Sequence, residues 1–294
     1  MVIVNRGEKM LTTCTKDDFL KYSDFAYELA SDLTKSSYPT YCDGIKTKAM
    51  FVERSLKAFE RDTEDMLLFE HEGKVQGVIH YSWIPEDNYL FINSFNINEA
   101  TEVALTEFLE YVGEKFKGYD IFMGFPAENK AAVETLSAKG FELVGDDYNN
   151  TAHLDKLDNF QVSDKIITIG KDNFASFKIL HDKIDGDMYW NSERMFEALE
   201  NWRIFVREEA GEPQGAVYYT TAKDDWYEIF GIDMNKGEYD SDLFKELINA
   251  ALADAKSRDG KIMTFFCDEE GEADAKECGF ECVGKYLCFE SHLS

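Results

Sequence analysis

One glycine-anchored pattern occurs twice in this chain at a nearly constant distance, and that repeat constrains the fold more than any other feature. EGKVQGVIHYSW returns as AGEPQGAVYYTT, so that Gly73, Gln76, Gly77 and Tyr81 recur as Gly211, Gln214, Gly215 and Tyr219. KGFELVGDDY returns as CGFECVGKYL, which matches Gly140, Phe141, Glu142, Val144 and Gly145 to Gly279, Phe280, Glu281, Val283 and Gly284. The offset is 138 residues at the first block and 139 at the second. Chance matches do not hold register over most of a domain. A weaker echo, TKDDFLKY with GKDNFASF, marks the start of each copy and puts the junction near LDKLDNF at 154–160. A length of 294 residues with 44% apolar content suits two domains that each bury a core. The expected division is 1–156 and 157–294.

Both copies carry the same order of elements. A helical region precedes a hairpin, MLLFEH and VQGVIHYSW in the first copy and IFVREE and GAVYYTT in the second. A third strand follows, NYLFINSFNI or YEIFGIDM. The next segment has apolar residues at helical spacing, Leu105, Phe108, Leu109 and Val112 or Phe244, Leu247, Ile248 and Ala251. YDIFMGF and KIMTFF read as strands, and a short helix and a final strand close each copy. The fold class is α/β, with a mixed sheet in each of two tandem domains.

These residues resemble the GCN5-related N-acetyltransferase (GNAT) family. EHEGKVQGVI is similar to the family's second and third strands. NKAAVETLSAKGFELVG is similar to its motif B, with Asn129, Ala132, Gly140 and Phe141 in the expected places. The second copy keeps Gly279 and Phe280 but has Asp268 and Gly271 where the asparagine and alanine would stand. It is the more eroded copy by this measure.

The resemblance implies acetyl-CoA as cosubstrate, with its pantetheine arm between two splayed strands. It points to Phe95, Asn96, Ile97 and Asn129 of the first copy as the residues that hold it. The family's pyrophosphate loop uses glycines, because the phosphate approaches the main chain at a helix N-terminus. Here that stretch is Asn98-Glu99-Ala100-Thr101-Glu102-Val103, without glycine. In the second copy it is Gly237-Glu238-Tyr239-Asp240-Ser241-Asp242, with three carboxylates. Acid side chains at a helix N-terminus also serve as caps, and that reading is the expectation for the second copy. The tyrosine that often protonates the leaving thiolate is replaced by Leu136 and Ala275.

Two residues remain as candidates for proton transfer. Tyr148, just beyond motif B, is either a substitute acid or a solvated residue. Glu228, the one acid inside the third strand of the second copy, is either the base that accepts the amine proton or an outward-facing strand residue. His80 reads as a core or surface histidine, and the cysteines near the C-terminus read as core residues. No metal site is expected from the histidine and cysteine spacing.

The net charge of −27, with no dense Lys/Arg cluster, excludes a nucleic-acid partner. That acidity serves either solubility or the attraction of a cationic amine. No apolar stretch approaches the length of a membrane span, and a cytoplasmic location with reduced thiols is expected. The function that follows is acyl-CoA-dependent transfer, of acetyl by the family's habit, to a small amine. The alternative is a non-catalytic binding protein on the same scaffold, with a degraded coenzyme A site.

Overall fold

In the computed structural model of the chain, the residues described are 10–184, 186, 188–221, 225–235 and 239–294. In chain order the elements are β1 (Leu11–Thr13), α1 (Lys16–Ala30), α2 (Lys48–Leu56), β2 (Glu64–His71), β3 (Lys74–Ile84), β4 (Tyr89–Ile97), α3 (Thr101–Lys115), β5 (Asp120–Pro126), α4 (Lys130–Ala138) and β6 (Glu142–His153). They continue as β7 (Ile166–Thr168), α5 (Phe174–His181), α6 (Ser192–Glu197), β8 (Trp202–Glu209), β9 (Glu212–Thr220), β10 (Trp226–Met234), α7 (Ser241–Ser257), β11 (Ile262–Cys267), α8 (Glu269–Glu277) and β12 (Glu281–His292). The chain forms two compact units, Met1–Asp147 with Val283–Ser294, and Tyr148–Cys282.

In the first unit the strand order is β1, β2, β3, β4, β5, β12. All neighbours are antiparallel except β4 and β5. Side chains alternate along each strand, so the sheet has two apolar faces. Phe19, Ala26 and Phe51 of α1 and α2 pack on Met66, Leu68 and Val78. Leu105, Phe108 and Val112 of α3 pack with Leu136 of α4 on Ile79, Tyr81, Phe95 and Phe125. The start of α1 is fixed by a capping box in which Thr15 and Asp18 bond each other's backbone N–H.

The second unit repeats the plan with strand order β6, β11, β10, β9, β8, β7. Phe174, Phe177 and Leu180 of α5 cover one face, against Ile204, Val206 and Tyr218. Phe244, Leu247, Ile248 and Ala251 of α7 cover the other, against Val217, Ile229, Met263 and Phe265. The repeat also extends to backbone detail. Both hairpins turn on two residues of positive φ, Glu72 (52°) with Gly73 (72°) and Ala210 (52°) with Gly211 (83°), the conformation of a tight I′ turn. Bulges fall at Gln76 and Gln214, whose carbonyls accept from Asn98 N–H at 2.7 Å and Asn235 N–H at 2.8 Å. A second pair of bulges falls at Asn93 in β4 and Phe230 in β10.

The compact units depart from the order of the two repeats at two elements, the closing strands. The closing strand of the first repeat, β6, pairs with β11 of the second unit, from Tyr148 opposite Cys267 to His153 opposite Ile262. The closing strand of the second repeat, β12, pairs with β5, from Tyr286 opposite Pro126 to His292 opposite Asp120. The compact units thus exchange the closing strands of the two sequence repeats. The two repeats offer equivalent strand edges, and an alternating pattern specifies a face but not a partner.

Candidate functional site

The site is defined in each unit by the single parallel ladder and the place where it ends. In the first unit β4 and β5 pair only at Tyr89, Leu90 and Phe91 with Asp120, Ile121 and Phe122. Both strands run on beyond that point, past the Asn93 bulge, and the backbone groups they turn towards each other need other partners. Residues 35–38, after α1, supply them. Phe95 N–H donates to Ser37 Oγ at 2.8 Å, and Ile97 N–H donates to Lys35 O at 3.1 Å. Asn96 Oδ1 accepts from Ser37 N–H at 3.4 Å. Asn129 caps α4 by accepting from Ala132 N–H, and its Nδ2 donates to Ser36 O at 3.0 Å. Tyr38 donates its hydroxyl to Ile92 O at 3.1 Å and stacks on Tyr286 with centroids 5.0 Å apart. The Tyr286 ring needs Gly124 beneath it, where a Cβ would lie 1.7 Å from the hydroxyl. The four residues expected to hold pantetheine do come together, and what they hold is a segment of the chain itself.

A polar network lies beside the Asn93 bulge. Glu64 Oε2 lies 2.8 Å from His80 Nε2, and Glu64 Oε1 accepts from Arg61. Asn93 Nδ2 lies 3.2 Å from the same His80 nitrogen and also donates to Ser82. Burial opposes ionisation of Glu64, but the hydrogen bonds from His80 and Arg61 outweigh it and bring the carboxyl down to about 2.

In the second unit β10 and β11 pair from Trp226 with Ile262 to Ile229 with Phe265, and the ladder ends there. The bulge at Phe230 follows at once, with its ring 42% exposed. Asn235 N–H donates to Gln214 O, which fixes the phase of the β9–β10 ladder. Asp233 shares that phase, so Ile232 and Met234 turn their N–H groups away from β9. The Lys183 ammonium donates to Asn235 Oδ1 at 2.5 Å, as the Lys35 ammonium donates to Asn98 Oδ1 at 2.9 Å in the first unit. Ile232 and Met234 are only partly buried, whereas their counterparts Phe95 and Ile97 are 0% and 1% exposed.

Behind this strand Asp233 Oδ2 lies 2.9 Å from His181 Nδ1, and His181 Nε2 lies 2.9 Å from Trp190 O. Both ring nitrogens face an oxygen. Burial, reinforced by the Asp233 carboxylate, raises the Tyr218 phenol far above its ordinary range.

Glu228 is half-buried on β10, in register with Thr220 on β9 and Thr264 on β11. It lies on the sheet face opposite α7, because Tyr227 and Ile229 face that helix. Tyr148 starts the β6 ladder opposite Cys267, and alternation from Ala152 puts it on the α7 face. The two candidates for proton transfer thus come from different repeats into one unit, on opposite faces of its sheet. Asp240 is the N-cap of α7, accepting from Leu243 N–H at 3.1 Å, and Asp268 caps α8 in the same way at 2.8 Å. Gly237 and Glu238 of the expected phosphate loop lie outside the described residues. In the first unit Ala100, the N-cap of α3, takes φ of 60°, a conformation that favours the glycine absent from that loop. His80 is buried, Leu136 and Ala275 are fully buried, and Cys267 lies in a core. Cys282 is exposed, a correction to its expected core position, because β12 faces solvent at its start.

Among the described residues no group of histidine, cysteine or carboxylate side chains has metal-site geometry. Among the described residues no helix is long and apolar enough to cross a membrane. No protein-family model and no curated protein sequence matches the chain. Solved structures do. A GCN5-related N-acetyltransferase from Sphaerobacter thermophilus matches over 96% of this chain and 95% of its own, with a TM-score of 0.66 and 11% identity. A tandem GNAT protein from the clavulanic acid biosynthesis pathway matches over 97% of this chain and 98% of its own, at 0.55 and 11%. A GCN5-related glucosamine N-acetyltransferase region of a fungal multi-domain GH3 β-N-acetylglucosaminidase covers 98% of this chain and 38% of its own, at 0.61 and 11%. The fold is that of the GCN5-related N-acetyltransferases, and its tandem form has a counterpart matched along nearly the whole chain.

Proposed function

We propose that this protein transfers an acyl group from acyl-CoA, with acetyl-CoA as the cosubstrate, to a small amine. The observation that carries the reading is the gap beyond the β10–β11 ladder, where β10 runs on past the Phe230 bulge to Met234 without pairing to β11. An extended pantetheine arm has amide groups that pair with such an edge as a further strand does. The thioester then lies near the Phe230 bulge. The amine nitrogen attacks the thioester carbonyl carbon, the C–S bond breaks, an amide forms and coenzyme A leaves as its thiol. Alignment of the two substrates contributes most of the acceleration in such a scheme.

We assign Glu228 the proton released by the amine and Tyr148, on the other face, the proton given to the thiolate. The three-residue row of Thr220, Glu228 and Thr264 supports a polar acceptor site. The fungal neighbour is named for glucosamine, an amino sugar, and that class of small amine belongs among the acceptors to test. Six free cysteines fit a cytoplasmic setting.

The test is release of coenzyme A from acetyl-CoA, followed with a thiol reagent across a panel of amino sugars, alkylamines and arylalkylamines. Amine-dependent release is expected. A protein that neither releases coenzyme A nor gains thermal stability from saturating acetyl-CoA, which at 100 times its Kd contributes about 2.7 kcal/mol, contradicts the proposal.

A further inference from the structure

Glu228 is bordered by aromatic rings on the face of the sheet that α5 covers. Residues opposite one another on paired strands share a face, and Trp202, Thr220, Glu228 and Thr264 form one such row across β8, β9, β10 and β11. Trp202 packs in the core of Phe177 and Tyr218, which sets the face of the row. Along β10, alternation puts Trp226 on the same face, where its indole N–H donates to Thr264 Oγ1 at 2.8 Å. Phe230, the bulge residue, brings its ring to Trp202 with centroids 5.1 Å apart and planes at 84°. Trp190 meets Trp202 at 5.2 Å and 73°, and its carbonyl lies 2.9 Å from His181 Nε2 on α5. Trp202 and Trp226 are buried, whereas Phe230 is 42% exposed and Glu228 is half-buried. The exposed part of this wall is thus one carboxylate beside one aromatic ring, on a floor of indole and threonine. We infer that the acceptor taken here is a primary arylalkylamine, with its ring on Phe230 and its nitrogen at Glu228. The inference rests on the proposed function and narrows its acceptor.

Two residues of strand separate Glu228 from Phe230, about 7 Å, a span that suits an aryl ring joined through a short carbon chain to nitrogen. The nitrogen then lies at the carboxylate assigned its proton, and the thioester lies near the bulge that carries the ring. An aromatic wall holds an aromatic ligand through buried apolar area and the complementarity of ring face and ring edge. An amino sugar presents hydroxyl groups that need polar partners once buried, and the rings supply none. A linear polyamine carries several ammonium groups, whereas the row of Trp202, Thr220, Glu228 and Thr264 holds a single carboxylate. The net charge of −27 attracts all three classes as cations and does not choose between them.

Two readouts keep the acceptor class apart from the transfer itself. Of the four tryptophans in the chain, Trp190, Trp202 and Trp226 stand in this wall, so tryptophan fluorescence reports binding without any acyl transfer. Phenethylamine should change the emission saturably, Phe230→Ala should raise its Kd at least about tenfold, and Phe230→Tyr should keep it near the wild-type value. In coenzyme A release from acetyl-CoA, phenethylamine should exceed both glucosamine and butylamine in kcat/KM by at least about tenfold, and Phe230→Ala should erase that preference. Glucosamine or butylamine used as well as phenethylamine, or a preference that survives Phe230→Ala, overturns the inference and leaves acyl transfer standing. Saturable binding that Phe230→Ala weakens, with no coenzyme A released for any amine, upholds the aromatic-amine site and overturns the proposed function. Neither binding nor turnover of phenethylamine overturns the inference.

Discussion

Phe289→Ala tests the strand exchange, because this residue belongs to the second sequence repeat and to the core of the first unit. Phe289 lies on β12 opposite Met123, is 3% exposed, and packs in the cluster that contains Phe95, Phe108 and Phe125. Truncating a buried phenylalanine to alanine costs about 3–5 kcal/mol, from lost transfer free energy and the cavity left behind. At about 2–4 °C per kcal/mol for a unit of this size, the first unit should melt at least about 6 °C lower. The assay is thermal unfolding combined with hydrogen exchange resolved by peptide. Exchange should accelerate at Ile121 and Met123 in β5 and at Phe108 in α3, and should not change at Met263 and Phe265 in β11. The mirror variant is Leu154→Ala, in the first repeat but fully buried in the second unit's core, and its effect should fall on β11 and α7. Acceleration in β11 for Phe289→Ala, with β5 unaffected, would refute the exchange.

Three further predictions concern the sites. Glu64, with its carboxyl brought from 4.5 to about 2, contributes stability that is full above pH 4.5 and is lost as the pH falls towards 2. The denaturation free energies of wild type and Glu64→Gln should differ by about 1–2 kcal/mol at pH 6 and converge near pH 2, and a pH-independent difference would contradict this. Ala100→Gly removes a left-handed alanine at φ 60°, a strain of about 1–2 kcal/mol, against about 0.5–1 kcal/mol of added chain entropy in the unfolded state. A small gain in denaturant midpoint is expected, and a loss would show that the loop holds Ala100 without strain. Glu228→Gln should lower kcat for acyl transfer about 10²–10⁴-fold without weakening acetyl-CoA binding, and an unchanged kcat removes the base assignment.

The repeat was legible because several of its residues are required by backbone geometry. Gly73 and Gly211 close tight turns, and Gly140 and Gly279 follow α4 and α8 with φ of 81° and 98°. Gly77 has no room for a Cβ, which would lie 2.4 Å from Asn96 O. The helices followed from spacing, since Leu105, Phe108 and Val112 can all face a core only on a helix. The exchange of β6 and β12 left no trace, because side-chain alternation is satisfied equally by either edge. The placement of residues 35–38 was equally hidden. Lys-Ser-Ser-Tyr carries no motif, and its bonds through Lys35 O, Ser36 O and Ser37 N–H use main-chain atoms that any sequence carries. The three-residue strands β1 and β7 are too short for a periodic signal. Asn129 was recognised by its motif, but its place as the cap of α4 is a local fact, and the identity of what its Nδ2 bonds is set by a segment 93 residues away.

The most direct measurement is a crystal structure of the protein with saturating coenzyme A or its desulfo analogue. The account predicts continuous density for the pantetheine arm beyond the β10–β11 ladder, paired with the main chain of Ile232 and Met234. Density along Phe95 and Ile97 alone, or no density in either groove under saturation, would contradict it.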